Sequence, residues 1–232
     1  NLDALLVTPS HLYPFGGAMP APRRAELLDW AKRTGTVIIE DDFNTELRYR
    51  IAPQPTLSTL APAADVLTLG TFSTLLSREL AAGYVVASPA TVTRLKEIRG
   101  VLGMPVATVT QRAIASLLRG GVVRRNTRAV HRALAQRRQV LQDRLVPLFD
   151  AARLAPGDGA DFTVQFASHL ERDTFETRLL EAGIECGHES SLWTDGGDGL
   201  VLSFAHLSDG DFAGAVDQVT QAATLGRAQT ST

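Results

Sequence analysis

The 232-residue chain is short of cysteine and lysine, and it lacks long apolar runs. Its one cysteine, Cys186, excludes an intramolecular disulfide and a zinc site made of cysteines, and it suits a reducing compartment. No apolar run approaches the ~20 residues that a membrane span requires, and the N-terminus lacks the basic segment of a signal peptide. A net charge of −2 gives no overall attraction to nucleic acid or to membranes. The composition therefore predicts a soluble globular protein.

The first part of the chain alternates between short apolar runs and a helical pattern. Strands are predicted at Ala4–Val7, Thr36–Ile39, Asp65–Leu69 and Gly83–Ala87, and an amphipathic helix at Pro22–Arg33. Strands that are separated by helices or long loops favour a mostly parallel sheet. Because the runs are continuously apolar, we expect this sheet to be buried on both faces.

After Pro89 the pattern becomes helical and then returns to strands. Helices are predicted at Ala90–Leu102, Thr108–Leu118, Val122–Leu148 and Asp173–Ala182, with a last helix from Ser208 and strands at Phe162–Phe166 and Leu200–Phe204. We therefore expect a partial α/β large domain over residues 1–118, a bridging Arg-rich helix over 119–150, and a small α+β domain over 151–232.

Polar residues follow three of the predicted strands. The stretch IIEDDFNTE (Ile38–Glu46) places carboxylates directly after a strand, and TPSH (Thr8–His11) and GTFS (Gly70–Ser73) follow two others. In open α/β sheets ligands bind beyond the carboxyl ends of the strands, and hydroxyls and backbone N–H groups in such turns suit a phosphate. An acidic turn that only caps a strand would explain the first stretch alone. Three such turns in succession predict a binding site.

Three segments carry a resemblance to a known family: TPSHLYPFG, PRRAELLDWAKRTGTVIIEDDFNTELRY and LGTFSTLLSRELAAGYVV. They resemble the second half of the aminotransferase domain of the MocR-type regulators in the GntR family, and the resemblance runs from Ala4 to about Ala223. Those proteins join a winged-helix DNA-binding domain to a fold type I aminotransferase module that binds pyridoxal phosphate. The resemblance implies part of the large aminotransferase domain, with a mostly parallel sheet and helices, and a small α+β C-terminal domain. It also implies a longer protein, because the winged helix and the loop around the cofactor phosphate would precede Asn1.

The resemblance implies cofactor-binding roles for several residues. Asp41 corresponds to the aspartate that pairs with the pyridine nitrogen and keeps it protonated, so that the ring can act as an electron sink. His11 and Tyr13 belong to the motif that lines the ring, and Thr71 and Ser73 match the turn that approaches the phosphate. We therefore expect these five side chains to surround one site.

Four positions depart from the family pattern. The lysine that forms the Schiff base falls on Thr74, whose hydroxyl cannot form an imine. The tyrosine that hydrogen-bonds the cofactor falls on Phe43, the phosphate-binding arginine on Ala81, and the arginine that grips a substrate carboxylate on Val201. A buried hydrogen bond to a charged group contributes on the order of 1.5–3 kcal/mol. Thr74 and Phe43 would still line the cofactor site, but we expect no covalent pyridoxal phosphate, weaker non-covalent binding and no catalytic residue.

These departures predict a non-catalytic module for effector sensing or dimerisation. The resemblance implies a cytoplasmic homodimer that binds a small-molecule effector, and that contacts DNA only through a winged-helix domain absent from this chain. The alternative is a pyridoxal-phosphate-dependent aminotransferase of class I/II that is completed by a missing N-terminal half or by a partner subunit. A decayed fragment without a selected role is a third reading.

Other charged and reactive residues have simpler interpretations. The segment from Arg119 to Arg144 is rich in arginine, which would suit binding to the phosphate backbone of a nucleic acid. The resemblance implies a simpler interpretation, because in the family this segment is an interdomain helix whose polar face is solvated or contacts another subunit. Cys186 is predicted to be a small apolar filler. The histidines lack the spacing of metal ligands, so no metal site is predicted: His131, His169, His188 and His206.

Overall fold

The computed structural model describes residues 2–43, 45–50, 52–62, 64–103, 106–149, 154, 157–187, 193 and 198–230, with the backbone alone for residues 78 and 225–230. The chain forms two compact units. The first unit comprises Asn1–Tyr13 and Gly17–His131, and the second comprises Pro14–Gly16 and Arg132–Thr232. His188 and the domain boundary predicted at residues 150 and 151 lie outside the described residues.

The first unit is built on a four-stranded sheet in the order β1-β2-β3-β4. Its strands are β1 (Ala4–Val7), β2 (Val37–Asp41), β3 (Val66–Thr71) and β4 (Gly83–Val86). Strands β1, β2 and β3 run parallel, whereas β4 is antiparallel to β3. The prediction of a mostly parallel sheet is therefore confirmed, and β2 and β3 each extend two residues beyond their predicted ends.

The predicted helices of the first unit are present in the predicted chain order, and one short helix, Leu57–Leu60, was not predicted. The helices are α1 (Ala21–Thr34), α2 (Leu57–Leu60), α3 (Pro89–Leu102) and α4 (Thr108–Arg119), with short 3-10 helices at Thr45–Leu47 and Arg78–Leu80. Helix α5 (Val122–Leu145) begins in the first unit and ends in the second, three residues before its predicted end. None of the described helices is long and apolar enough to cross a membrane.

Local signals in the sequence explain where α1 and α3 begin and end. Pro22 stands in the first turn of α1, and Gly35 ends that helix with a left-handed φ of 70°. The Ser88 side chain caps α3 by accepting a hydrogen bond from the Thr91 backbone N–H at 3.3 Å, and Gly103 ends the helix with φ 64°. Both helices lie within one residue of their predicted bounds at each end.

One face of the sheet carries the core of the first unit. Ile38 of β2 and Val66 of β3 pack with Leu28 and Ala31 of α1 and with Leu57 of α2. Burial of large aliphatic side chains in this way stabilises the fold by about 1.5–3 kcal/mol for each fully buried side chain. This packing holds the strand ends that carry the predicted site.

The opposite face of the sheet is open. Leu6 of β1 is 62% exposed and Val85 of β4 is 44% exposed. In β2, the buried residues Ile38 and Glu40 alternate with partly buried neighbours, because successive side chains of a strand point to opposite faces. The expectation that the sheet is buried on both faces is therefore wrong: in the described part of the first unit, α1 and α2 pack against one face only.

The second unit contains an antiparallel pair of strands and two helices. Its elements are β5 (Asp161–Phe166), α6 (His169–Glu181), β6 (Asp198–Ser203) and α7 (Asp209–Thr230). The predicted strand–helix–strand–helix order is confirmed, but α6 begins four residues before Asp173. The reason is local: Ser168 accepts a hydrogen bond from the Glu171 backbone N–H and caps the helix there.

Candidate cofactor site

The parallel order of β1, β2 and β3 brings three of the polar segments to one edge of the sheet. Asp41 is the last residue of β2 and lies beside Leu69 of β3, and Thr71 is the last residue of β3. Because Asp41, Leu69 and Thr71 alternate with residues of the buried face, Asp41 and Thr71 point to the same face. His11 follows the end of β1 at this edge.

The acidic stretch after β2 is divided between the two faces of the sheet. Glu40 is fully buried; its carboxylate accepts hydrogen bonds from the Leu57 backbone N–H at 2.9 and 3.0 Å and from the Thr68 hydroxyl at 2.8 Å. Asp41 is only partly buried and accepts a hydrogen bond from the Phe43 backbone N–H at 3.0 Å. Glu40 therefore holds α2 against the sheet, and Asp41 is the carboxylate that remains at the open face.

Two buried arginines, neither of them predicted from the sequence, hold the segment after β1. Arg24 is 1% exposed and donates hydrogen bonds to backbone carbonyl oxygens, among them that of Pro9 at 2.8 Å, while Arg48 donates to the Ser10 carbonyl oxygen. Burial lowers the pKa of Arg24, and the Glu40 carboxylate opposes this effect. The arginines fix the backbone that carries His11, which is 6% exposed. The sequence signal for a buried Arg24 is its position four residues before Leu28, which places it on the apolar side of α1.

The turn after β3 carries the remaining residues of the predicted site. The Thr71 hydroxyl oxygen accepts a hydrogen bond from the Ser73 backbone N–H at 3.0 Å. The Thr74 hydroxyl is buried and has no hydrogen-bond partner among the described residues. Such an orphaned hydroxyl can accommodate a polar ligand atom. A hydroxyl does not, however, fit covalent attachment of pyridoxal phosphate, which requires an amine.

The other departures from the family pattern lie in different surroundings. Phe43 is 50% exposed, and Tyr13, which matches the family pattern, is 46% exposed. Ala81 has a left-handed φ of 42°, and Val201 is 3% exposed in the middle of β6, where its backbone pairs with Gly187. The roles assigned to these positions and to the seven predicted cofactor-binding residues remain predictions.

The second unit contains a charged cluster that was likewise not predicted from the sequence. The Asp198 carboxylate is 4% exposed and accepts from Arg172 Nε at 3.0 Å and pairs with His169 Nδ1 at 2.5 Å. Burial opposes ionisation, but hydrogen bonds from Arg172 and His169 prevail and lower the pKa of Asp198. Burial raises the pKa of Cys186 to about 11, so this thiol stays protonated at neutral pH. The described residues contain no group of three or more potential metal ligands.

The sequence is similar to both regulators and enzymes. The family described as aminotransferase class I and II matches residues 3–218. The chain is 38% identical over 228 residues to the HTH-type pyridoxine biosynthesis transcriptional regulator PdxR of Corynebacterium glutamicum, covering 97% of this chain and 50% of PdxR. It is 30% identical over 136 residues to the protein named "Probable rhizopine catabolism regulatory protein MocR" of Rhizobium meliloti, covering 59% of this chain and 28% of that protein.

A solved structure supports the same fold. The α-aminoadipate aminotransferase LysN of Thermus thermophilus, in complex with N-(5'-phosphopyridoxyl)-L-leucine, matches with a TM-score of 0.80 and 26% identity over 97% of this chain and 59% of LysN. The chain spans about half the length of the regulator PdxR. The resemblance to MocR-type regulators, the fold type I architecture and pyridoxal phosphate as the family cofactor are confirmed. The chain belongs to the class I and II aminotransferase family.

Proposed function

We propose that this chain is a degenerate, non-catalytic aminotransferase-like module of a MocR-type regulator in the GntR family, which senses a small-molecule effector or holds two subunits together. The observation that carries the proposal is the threonine at position 74, in the turn after β3. Pyridoxal phosphate, when bound, supplies an electron sink for amino-group chemistry. Thr74 cannot attach it, because a hydroxyl has no nitrogen from which to form an imine.

The positions of the two lysines support the same proposal. Lys32 lies in the last turn of α1 and Lys96 lies within α3, and both side chains are exposed. Neither belongs to the strand ends that carry Asp41 and Thr71. A lysine on an exposed helix surface has no packed surroundings that would orient it toward a cofactor.

The likeness to PdxR and MocR supports a regulatory setting for the whole protein. In this setting the protein is a cytoplasmic homodimer, and a winged-helix domain outside this chain binds the DNA. The competing function is a pyridoxal-phosphate-dependent aminotransferase that a further segment or a partner subunit completes, and the likeness to LysN supports it. The two functions differ in whether any lysine, of this chain or of the segment that completes it, forms an imine with the cofactor.

Reductive labelling tests whether this chain itself supplies a reactive lysine. The chain is mixed with pyridoxal phosphate, reduced with borohydride and digested, and its peptides are analysed by mass spectrometry. We expect no stoichiometric pyridoxyl adduct at Lys32 or Lys96, because neither amine is positioned beside a cofactor site. A unique, stoichiometric adduct at either lysine would refute the non-catalytic proposal.

Restoring the family residues tests the assignment of the site. The triple variant Thr74→Lys, Phe43→Tyr and Ala81→Arg should bind pyridoxal phosphate at least about tenfold more tightly than the parent chain, because it gains an amine, a hydrogen-bond donor and a positive charge. The matched control carries the same tyrosine and arginine with Ser77→Lys in place of Thr74→Lys. Equal affinity of the two variants would contradict the assignment of Thr74 to the lysine position.

A further inference from the structure

A cavity of about 640 Å³ lies within the first unit, where the end of β3, the 3-10 helix Thr45–Leu47 and the junction of α4 and α5 meet. Volumes of about 300–1,000 Å³ are typical of small-molecule pockets. Of the seven predicted cofactor-binding residues, only Thr71 lines this cavity. The cavity is therefore a neighbour of the predicted cofactor turn, and most of its wall comes from other elements.

The walls of the cavity are tied to one another. Asn126 of α5 donates a hydrogen bond from Nδ2 to the Leu75 carbonyl oxygen at 2.6 Å. His131, further along α5, contacts the Glu46 carbonyl oxygen through Nε2. These two contacts connect α5 to the loop after β3 and to the 3-10 helix. A ligand would therefore meet a preformed pocket, which lowers the entropy cost of binding.

The lining combines an apolar wall with one buried carboxyl group. The rings of Phe72 and Tyr84 contact each other in a tilted arrangement with their centroids 5.2 Å apart, and Leu75 and Val123 are 6% and 9% exposed. Glu46 Oε2 is buried without a hydrogen-bond partner in the described structure. Burial raises the pKa of the Glu46 carboxyl, although a hydrogen bond from Tyr84 opposes this effect. A buried carboxyl oxygen without a donor is costly, and an ammonium group of a ligand would supply that donor.

Two arginines provide the opposite charge where the cavity opens to solvent. Arg119, the last residue of α4, and Arg124, in the first turn of α5, both line the cavity and have exposed side chains. Neither guanidinium forms an ion pair within the part of the chain that the structure describes. Guanidinium groups recognise carboxylates and phosphates through paired N–H donors. The cavity thus offers a carboxyl inside, an apolar wall, and two cations at its mouth.

We propose that this cavity binds a small zwitterion, with an ammonium group on Glu46, an anionic group on Arg119 and Arg124, and an apolar spacer against Phe72 and Leu75. The order of charges follows from burial, since Glu46 Oε2 is enclosed and both arginines are exposed. A ligand with a single charge would satisfy only one end. The site stands independently of the regulatory function proposed above, because it requires neither pyridoxal phosphate nor a winged helix.

Three compounds of one length test the proposal by isothermal titration calorimetry on the intact chain. 6-Aminohexanoate carries both charges, hexanoate lacks the ammonium group, and hexylamine lacks the carboxylate. We expect 6-aminohexanoate to bind at least about tenfold more tightly than either of the others, because only it satisfies both ends of the cavity. Equal affinity for the three compounds, or no binding of 6-aminohexanoate at millimolar concentration, would overturn the proposal.

Variants of the protein test which residues bind the ammonium group of the ligand and which bind its carboxylate. Glu46→Gln should abolish the preference for 6-aminohexanoate over hexanoate, because the amide carries no charge for the ammonium group. The double variant Arg119→Gln and Arg124→Gln should abolish the preference over hexylamine. Its matched control is Arg112→Gln with Arg128→Gln, which removes the same charge from α4 and α5 outside the cavity lining.

The Arg112 and Arg128 control distinguishes binding at a specific site from general electrostatic attraction between the protein and the ligand. If the Arg112 and Arg128 variant weakens 6-aminohexanoate binding as much as the Arg119 and Arg124 variant does, the arginines act only through net charge and the proposal is wrong. If Glu46→Gln fails to fold, the arginine pair still decides the outcome. These exposed side chains can be changed without disturbing the core.

Discussion

Replacing Glu40 by alanine should destabilise the first unit by about 2–4 kcal/mol. Glu40 is fully buried, and its carboxylate binds the backbone N–H of Leu57, the first residue of α2, and the hydroxyl of Thr68. Leaving a buried donor unsatisfied costs about 1–3 kcal/mol. The Thr68 hydroxyl keeps a partner, because it also lies 2.8 Å from the Ser58 hydroxyl.

Two further effects act on the same variant. Truncation leaves a cavity beneath α2, which adds to the cost. Arg24, 1% exposed, also loses the carboxylate that stabilises its charge, and removing one partner from a buried pair of charges is destabilising. Glu40→Gln keeps the side-chain volume and one acceptor, so we expect about 1–2 kcal/mol for that variant.

Urea unfolding followed by tryptophan fluorescence measures these costs. Trp30 packs against the core of the first unit, and a Trp193→Phe background removes the other tryptophan so that the signal reports this unit. The control is Glu26→Ala, whose ion pair with Arg23 is 63% exposed on the glutamate side and should contribute at most about 0.5 kcal/mol. A Glu40→Ala cost that matches the Glu26→Ala cost would refute the reasoning.

Two other predictions concern the charged cluster of the second unit and the open sheet face of the first. Because Arg172 and His169 lower the pKa of Asp198, its ionised form stabilises the fold above the ordinary aspartate pKa, and this contribution is lost as pH falls through the lowered pKa. Asp198→Asn should therefore reduce the unfolding free energy by about 1.5–3 kcal/mol at neutral pH and by little in strong acid; a pH-independent difference would contradict this. The open sheet face should promote self-association, so we expect a dimer or larger species by light scattering at micromolar concentration, reduced by Leu6→Ser but not by Leu170→Ser, which changes a leucine that is 76% exposed on α6. A monomeric parent chain would count against it.

Most of the helices and strands could be predicted because their signals are local. Ser88 and Gly103 mark the two ends of α3 through backbone geometry that any chain with this sequence would favour. The mostly parallel sheet could be predicted from the alternation of apolar runs and helices, because connections of that kind join parallel strands. The family could also be predicted, because ordered motifs such as the one around Asp41 identify it without coordinates.

Only the tertiary structure decided which charged side chains remain available to bind a ligand, because burial depends on residues far apart in the chain. Glu40 and Asp41 are neighbours in sequence, yet their side chains point to opposite faces of the sheet. Glu40 accepts a hydrogen bond from the first residue of α2, whereas Asp41 remains at the open face. Glu46 belonged to the same acidic stretch, but its place in a cavity depends on α5. The sequence could predict that acidic groups follow β2, whereas their different surroundings arise only from long-range packing, which sets the cost of desolvating each charge.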